Sequence, residues 1–400
     1  MPAEDRDSLD RRDFMTCSLA AAGASAFVVS DASAAKAQPG AAGSGTEYTG
    51  EVIQGKKVVS RLDVADLEPG KKHFLYFQGV ETAGGQHWYV SVVVAKGVRP
   101  GKRFTLTSGV HGDEMSSIRT VQAVMDALDP AQMSGTVTAV LDIARPAVES
   151  MQRRWPNSGR GLDLIDMNRE WPGDENGASA TRRHAGLLFN RLLRPNSDLA
   201  IDFHTGTTGL EIAAFVIGDR TIPDVKTMTD LYPVGQMWDD PAYQGVLHNA
   251  FVDVGIPCFT PEVGAARILD GEMIALFVEG TLNVLKHYAV VGGPIGRTAA
   301  DAGMRIGNAA FPIVATHGGL VEYRVKLDEE INSGQTIAVQ RNMFGEVVAE
   351  YASAVKGKIA AYRTDASSEP GNVLAFIIFS KPEPTPRAGA HADSESSYPE

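Results

Sequence analysis

Four short stretches of the 400-residue chain concentrate residue types that do chemistry. In SGVHGDE (108–114), His111 and Glu114 stand three residues apart just after an apolar run, close enough for both side chains to meet on one small ion. DFHTG (202–206) adds His204, a second ring nitrogen, and CFTPEVG (258–264) adds Glu262. Two histidines and one carboxylate around Zn²⁺ leave a fourth coordination position open, the make-up of a catalytic rather than a structural site. Gly109 and Gly112 let the backbone turn sharply around such an ion. Asp202, two residues before His204, is placed to orient that ring, and Asp113 is read as a nearby carboxylate outside the ligand set. The fourth stretch, DMNREWPG (166–173), pairs Asn168 with Arg169. An arginine presents a rigid fork of donors that matches a carboxylate, and a neighbouring amide adds another donor.

These stretches need strand ends to hold them together. RFTLTSGV (103–110) reads as a buried strand and SSIRTVQAVMDALD (116–129) has helical apolar spacing up to Pro130. GTVTAVLDIA (135–144) reads as another strand, residues 179–193 as a helix ending at Pro195, SDLAIDFHTG (197–206) as a strand with its loop, and 271–288 as a helix. Strands alternating with helices predict an α/β domain over 48–294 with a mostly parallel sheet. In such a sheet the site gathers in loops beyond the carboxyl ends of the strands, which places the first three stretches as three such loops. From 295 to 380 only short strands with Gly, Asn or Asp turns follow, a small all-β domain.

The ends are of different material. LDRRDFMTCSLAAAGASAFVVS (9–30) places Arg11 and Arg12 before a short Ala-rich apolar run, followed by small-residue cleavage candidates, so that 1–37 resembles a twin-arginine export signal. Its n-region is acidic where a positive one is usual, and the apolar run falls short of the ~20 residues a bilayer span needs. The expectation is a periplasmic or secreted protein without a stable membrane anchor once the signal is removed. Residues 38–47 read as a linker and 381–400 as a disordered Pro/Ser-rich tail. A net charge of -12 argues against nucleic acid or an anionic membrane as a partner. Cys258 lies in an apolar segment and reads as a small buried hydrophobe.

Taken together, GVHGDE, DMNREWPG, DFHTG and TPEVG are similar, in order and rough spacing, to the motifs of the succinylglutamate desuccinylase/aspartoacylase family, a branch of the zinc carboxypeptidase-like hydrolases. The resemblance covers roughly residues 85 to 380. It implies an α/β fold with a mixed, mostly parallel central sheet flanked by helices, one bound Zn²⁺ held by His111, Glu114 and His204, Glu262 as general base, Asn168 and Arg169 holding the substrate, and hydrolysis of an amide bond. It also implies an arginine that polarises the scissile carbonyl. Arg160 is the nearest position to the family's pattern, with Arg153 and Arg154 competing across the insert RRWPNSGRG (153–161). Trp171 stands where the family usually has Phe. The expected substrate is an N-acyl amino acid or a similar small carboxylate-bearing amide. An exported carboxypeptidase acting on peptides or cell-wall fragments is the runner-up, and a non-catalytic binding relative the third reading. The all-β domain's edge strands would suit a homo-oligomer. Tyr243 is a weak candidate for substrate contact, and the histidines outside the motifs, His184 and His248 among them, read as structural or surface residues.

Overall fold

A computed structural model describes residues 45–157, 163–239 and 244–381. The export-signal stretch, Arg160, Tyr243 and nearly all of the C-terminal tail lie outside the described residues. The chain runs through β1 (Glu47–Ile53), β2 (Lys56–Arg61), β3 (Lys71–Glu81), β4 (His87–Lys96), β5 (Arg99–Thr107), α1 (Met115–Ala127), β6 (Ser134–Val140) and α2 (Arg145–Glu149). A small hairpin, β7 (Trp155–Asn157) and β8 (Asp163–Ile165), precedes α3 (Ala180–Leu188). Next come β9 (Leu199–Asp202), β10 (Leu210–Gly218), α4 (Pro223–Asp230), β11 (Gln236–Asp239), α5 (Leu247–Asp253), β12 (Cys258–Ala265) and α6 (Gly271–His287). The C-terminal strands are β13 (Arg305–Gly307), β14 (Ala309–Val314), β15 (Gly319–Tyr323), β16 (Glu330–Ile331), β17 (Thr336–Arg341), β18 (Val347–Ala352), β19 (Gly357–Arg363), β20 (Ser367–Ser368) and β21 (Val373–Phe379).

The large sheet has the order β1-β2-β3-β4-β6-β5-β9-β12-β10-β19-β21-β14. Its centre, β6-β5-β9-β12, is parallel, and antiparallel pairings flank it, so the mixed α/β architecture read from the sequence is present. Strands buried on both faces carry near-continuous apolar runs, and β9 (LAID) has all four residues buried. One face is covered by α1 and α6, whose Val121, Val124, Phe277 and Val284 pack onto Leu106, Ile201 and Phe259. The other is covered by α3 and α5, through Leu188, Leu247 and Phe251. The predicted 271–288 helix is α6, started by Asp270, whose side chain accepts from the backbone N–H of Glu272 and Met273. The 179–193 segment is helical to Leu188 and then widens into a π-type turn over Phe189–Leu193.

The C-terminal strands are hydrogen-bonded into the sheet. Leu210, Glu211 and Ile212 of β10 pair with Arg363, Tyr362 and Ala361 of β19, and β13 pairs with β11. A second sheet, β18-β17-β15-β20, is antiparallel. No helix among the described residues is long and apolar enough to cross a membrane.

Candidate active site

Where β5 ends, Gly109 takes φ +66°, a left-handed turn that a side chain resists, and the chain reverses toward His111. Gly112 is needed for another reason. Its φ is not positive, but a Cβ there would collide with the backbone of Ala147 and Val148, and its N–H donates to Gln152 O at 3.1 Å. The ion-facing loop is therefore pressed against α2 and the turn that follows it. Gly112→Ala is expected to destabilise the protein by about 3 kcal/mol, since only backbone could move aside. Denaturant unfolding of the variant against the parent measures this, and an unchanged midpoint would refute it.

Glu114 stands at the N-cap position of α1 yet makes no cap hydrogen bond. Its carboxylate turns to the histidines: Oε1 lies 2.7 Å from His111 Nδ1 and Oε2 2.9 Å from His204 Nδ1. The two Nδ1 atoms are 3.2 Å apart, and all three side chains are buried. Two ring nitrogens this close, both against one carboxylate, make a place that favours a positive charge, a proton or a metal ion. The far nitrogens are held from behind: His111 Nε2 by Asp166 Oδ1 at 3.1 Å, His204 Nε2 by Asp202 Oδ2 at 3.0 Å. That arrangement fixes the ring orientation and turns both Nδ1 atoms inward, as carboxylate–histidine–metal sites do. His111, Glu114 and His204 thus form a set that could hold a metal ion, and two nitrogens with one carboxylate suit zinc.

Asp113 faces away from this cluster. Its Oδ2 accepts from Thr207 Oγ1 at 2.9 Å and from Thr208 N and Oγ1 at 2.8 Å, tying the loop after β9 to the loop after β5.

Glu262 lies within strand β12, not in a loop as its motif suggested. Antiparallel pairing with β10, Phe215 opposite Glu262, carries β12 past the point where its parallel partner β9 stops. Backbone bridging sets Glu262 beside His204. Burial pushes the Glu262 carboxyl up to about 8, with Glu114 and Asp202 adding to the effect against the pull of His204 and Arg153. Burial alone would lower His204, but Asp202 and Glu114 overcome it and hold the ring protonated well above the usual histidine range when no metal is bound. Glu114 is held well below the carboxylate range by His111 and His204 against the cost of burial.

Of the three arginines weighed for the scissile carbonyl, Arg153 enters the site. Its Nε bonds Asp166 Oδ2 at 3.1 Å and its Nη1 lies 3.4 Å from Glu114 Oε1. It lines the same cavity as Glu262, Asn168 and Arg169. Arg154 is exposed, and Arg160 lies outside the described residues. Asn168 Oδ1 accepts from Leu247 N at 2.9 Å, at the start of α5, which turns its amide N–H₂ toward His204 and the cavity. Arg169 Nη1 donates to Asn168 O at 2.8 Å.

Two further positions at the site are not singled out in the sequence. Asp166 holds both His111 and Arg153 and, as the first residue of DMNR, was open to recognition there. His248 lines the cavity and is lowered to about 4 by burial, with Nδ1 against Thr260 Oγ1 at 2.9 Å. No motif flags it. His184 keeps its structural reading: it is buried and lowered to about 4, accepting from Val80 N and donating to Ile143 O.

Known proteins resemble this chain in sequence and in fold. Residues 100–288 match the model of the succinylglutamate desuccinylase/aspartoacylase catalytic domain. The N-alpha-acetyl-L-2,4-diaminobutyric acid deacetylase of Halomonas elongata is 30% identical over 309 residues, covering 74% of this chain and 87% of that one. Two solved structures share the fold. A succinylglutamate desuccinylase from Silicibacter sp. TM1040 has a TM-score of 0.66 at 22% identity, covering 79% of this chain and 96% of that one. The product-bound ectoine utilization protein EutE (DoeB) from Ruegeria pomeroyi has a TM-score of 0.68 at 20% identity, covering 79% and 97%. With the catalytic-domain model matched over 100–288 and the deacetylase aligned over most of its length, the chain belongs to the succinylglutamate desuccinylase/aspartoacylase family.

Proposed function

We propose that this amide-bond hydrolase is a zinc-dependent deacylase that releases the amine of a small N-acyl amino acid. The observation that carries the reading is the convergence of His111, Glu114 and His204, each ring backed by its own aspartate, with Glu262 beside them on one cavity wall. A zinc ion bound there supplies a Lewis acid for the amide carbonyl and lowers the pKa of water toward neutrality. Glu262 accepts the attacking water's proton and delivers it to the leaving nitrogen, a task that suits a carboxyl raised toward working pH. Arg153 faces the charge that develops on the carbonyl oxygen, in place of the Arg160 that motif spacing favoured. Asp166 holds that guanidinium in position. Asn168 and Arg169 bind the substrate carboxylate through the fixed amide and the guanidinium fork. The twin-arginine-like leader makes this, in our reading, an exported activity that folds around its metal before leaving the cytoplasm.

The test is metal removal. The purified chain is expected to carry one equivalent of zinc and to hydrolyse N-acetyl amino acids. Chelation abolishes the rate and added zinc restores it. Folded protein without stoichiometric metal would refute the site. Cleavage of short peptides in preference to N-acyl amino acids would make it an exopeptidase instead.

A further inference from the structure

The cavity beside His111, Glu114 and His204 encloses about 360 Å³, within the range of roughly 300–1,000 Å³ of small-ligand sites. Beyond the polar cluster, its wall is a hydrophobic cluster separate from the two cores that flank the sheet. Ile212, Phe215, Ala361 and Ile378 are buried members, Phe376 and Trp238 pack against them, and all six line the cavity. Strand register makes this wall continuous. Phe215 stands opposite Glu262, Ile212 opposite Ala361, and Ala361 opposite Phe376. Side chains paired across strands share a face. The register shift in β10 between Ile212 and Phe215 lets both, three residues apart, line the cavity. Apolar surface therefore runs from beside Glu262 over β10, β19 and β21. Among the described residues, the arginines and carboxylates of the lining are Arg153, Arg169, Glu114 and Glu262, all belonging to the polar cluster and the Asn168–Arg169 turn.

Resting on the deacylase reading above, we infer that the substrate is an N-acyl amino acid with a bulky apolar group, branched aliphatic or aromatic, seated against this wall while its carboxylate meets Arg169. A charged side chain would be stripped of water there with no partner of opposite sign among the described residues of the wall, which is costly. Each methylene buried in such a pocket is worth roughly tenfold or more in kcat/KM. The C-terminal strands thereby choose the substrate, since β19 and β21 supply Ala361, Phe376 and Ile378 to a site whose chemistry lies on β5, β9 and β12.

The full-length, zinc-loaded protein is assayed on the N-acetyl derivatives of glycine, leucine, phenylalanine, aspartate and 2,4-diaminobutyrate. The leucine or phenylalanine derivative is expected to exceed glycine by about tenfold or more in kcat/KM, and to exceed both charged derivatives further. Hydrolysis that favours a charged derivative overturns the inference and leaves the deacylase reading standing. Calorimetry with 4-phenylbutyrate and succinate reads the wall without turnover, so that an inactive preparation still decides the matter. Tighter phenylbutyrate supports the inference, and equal or tighter succinate overturns it. Ala361→Glu and Phe376→Ala, checked for folding by circular dichroism, are expected to cut the phenylalanine-to-glycine kcat/KM ratio about tenfold. A ratio unchanged in both, whatever the absolute rates, means the wall only packs.

Discussion

The Glu262→Gln protein is expected to keep its metal and to lose roughly 10²–10⁴-fold in kcat. The asymmetry follows from position. Glu262 is not one of the three side chains that converge as ligands, so the amide leaves the donor set intact. The substitution is isosteric, and its cross-strand neighbour Phe215 still packs against it. In the proposed mechanism what disappears is the proton carrier, because an amide cannot take a proton from water and hand it to a leaving nitrogen. A residual rate comes from the remaining polarisation by Arg153 and from substrate positioning. Metal content by atomic emission and kcat on the same preparation are the readouts. If the variant kept more than about a tenth of the parent's kcat, the base would have to be another group. If it lost its metal, Glu262 would belong to the ligand set.

The parts of this site that were legible in the sequence are those set by short spacing. His111 and Glu114 lie on one tight loop, and Asp202 lies two residues from the ring it holds. The helix read at 271–288 is present as Gly271–His287, and the structure adds its Asp270 cap. What escaped depends on pairing between distant segments. Arg153 reaches His111 only because the turn after α2 closes on Gly112, a contact that neither segment shows alone. Glu262 lies in a strand because β10 prolongs β12 by antiparallel pairing, a choice of partner that local alternation does not encode. The apolar wall is hidden for the same reason. Strand β10 is not singled out in the sequence and β19 is one of a run of short strands, and only their register, Ile212 opposite Ala361, lays the C-terminal residues along the cavity of the catalytic sheet. The C-terminal segment was correctly read as β-structure, but its hydrogen bonding into the main sheet was not visible in its composition.

Zinc affinity is expected to rise steeply with pH between about 5 and 8, by roughly tenfold per pH unit for each proton displaced. Without metal, the charge favoured between His111 and His204 is supplied by a proton on His204, which Asp202 and Glu114 hold well above its usual range. A metal ion must expel that proton to use Nδ1. It also favours ionisation of Glu262, which burial holds up at about 8 in the metal-free chain. Binding at neutral pH therefore releases one to two protons. Calorimetry in two buffers of different ionisation enthalpy counts them, and zero protons released at pH 7 would refute the assignment of His204 as a ligand. Stability of the metal-free protein runs the other way. The folded His204 lies above its model value of 6.5, so its contribution is fully present below that pH and is lost as pH rises through the folded value. Glu262, raised from 4.5 to about 8, likewise favours the folded state most below 4.5 and loses that contribution as pH rises through 8. Glu114 is depressed, so its contribution is present above 4.5 and is lost as pH falls below it. From pH 6 to 8 the metal-free melting temperature is thus expected to fall while the increment added by zinc grows. Melting curves recorded with chelator and with zinc across that range would show the two diverging. Parallel curves would mean that the protons and the metal do not compete for the same nitrogens.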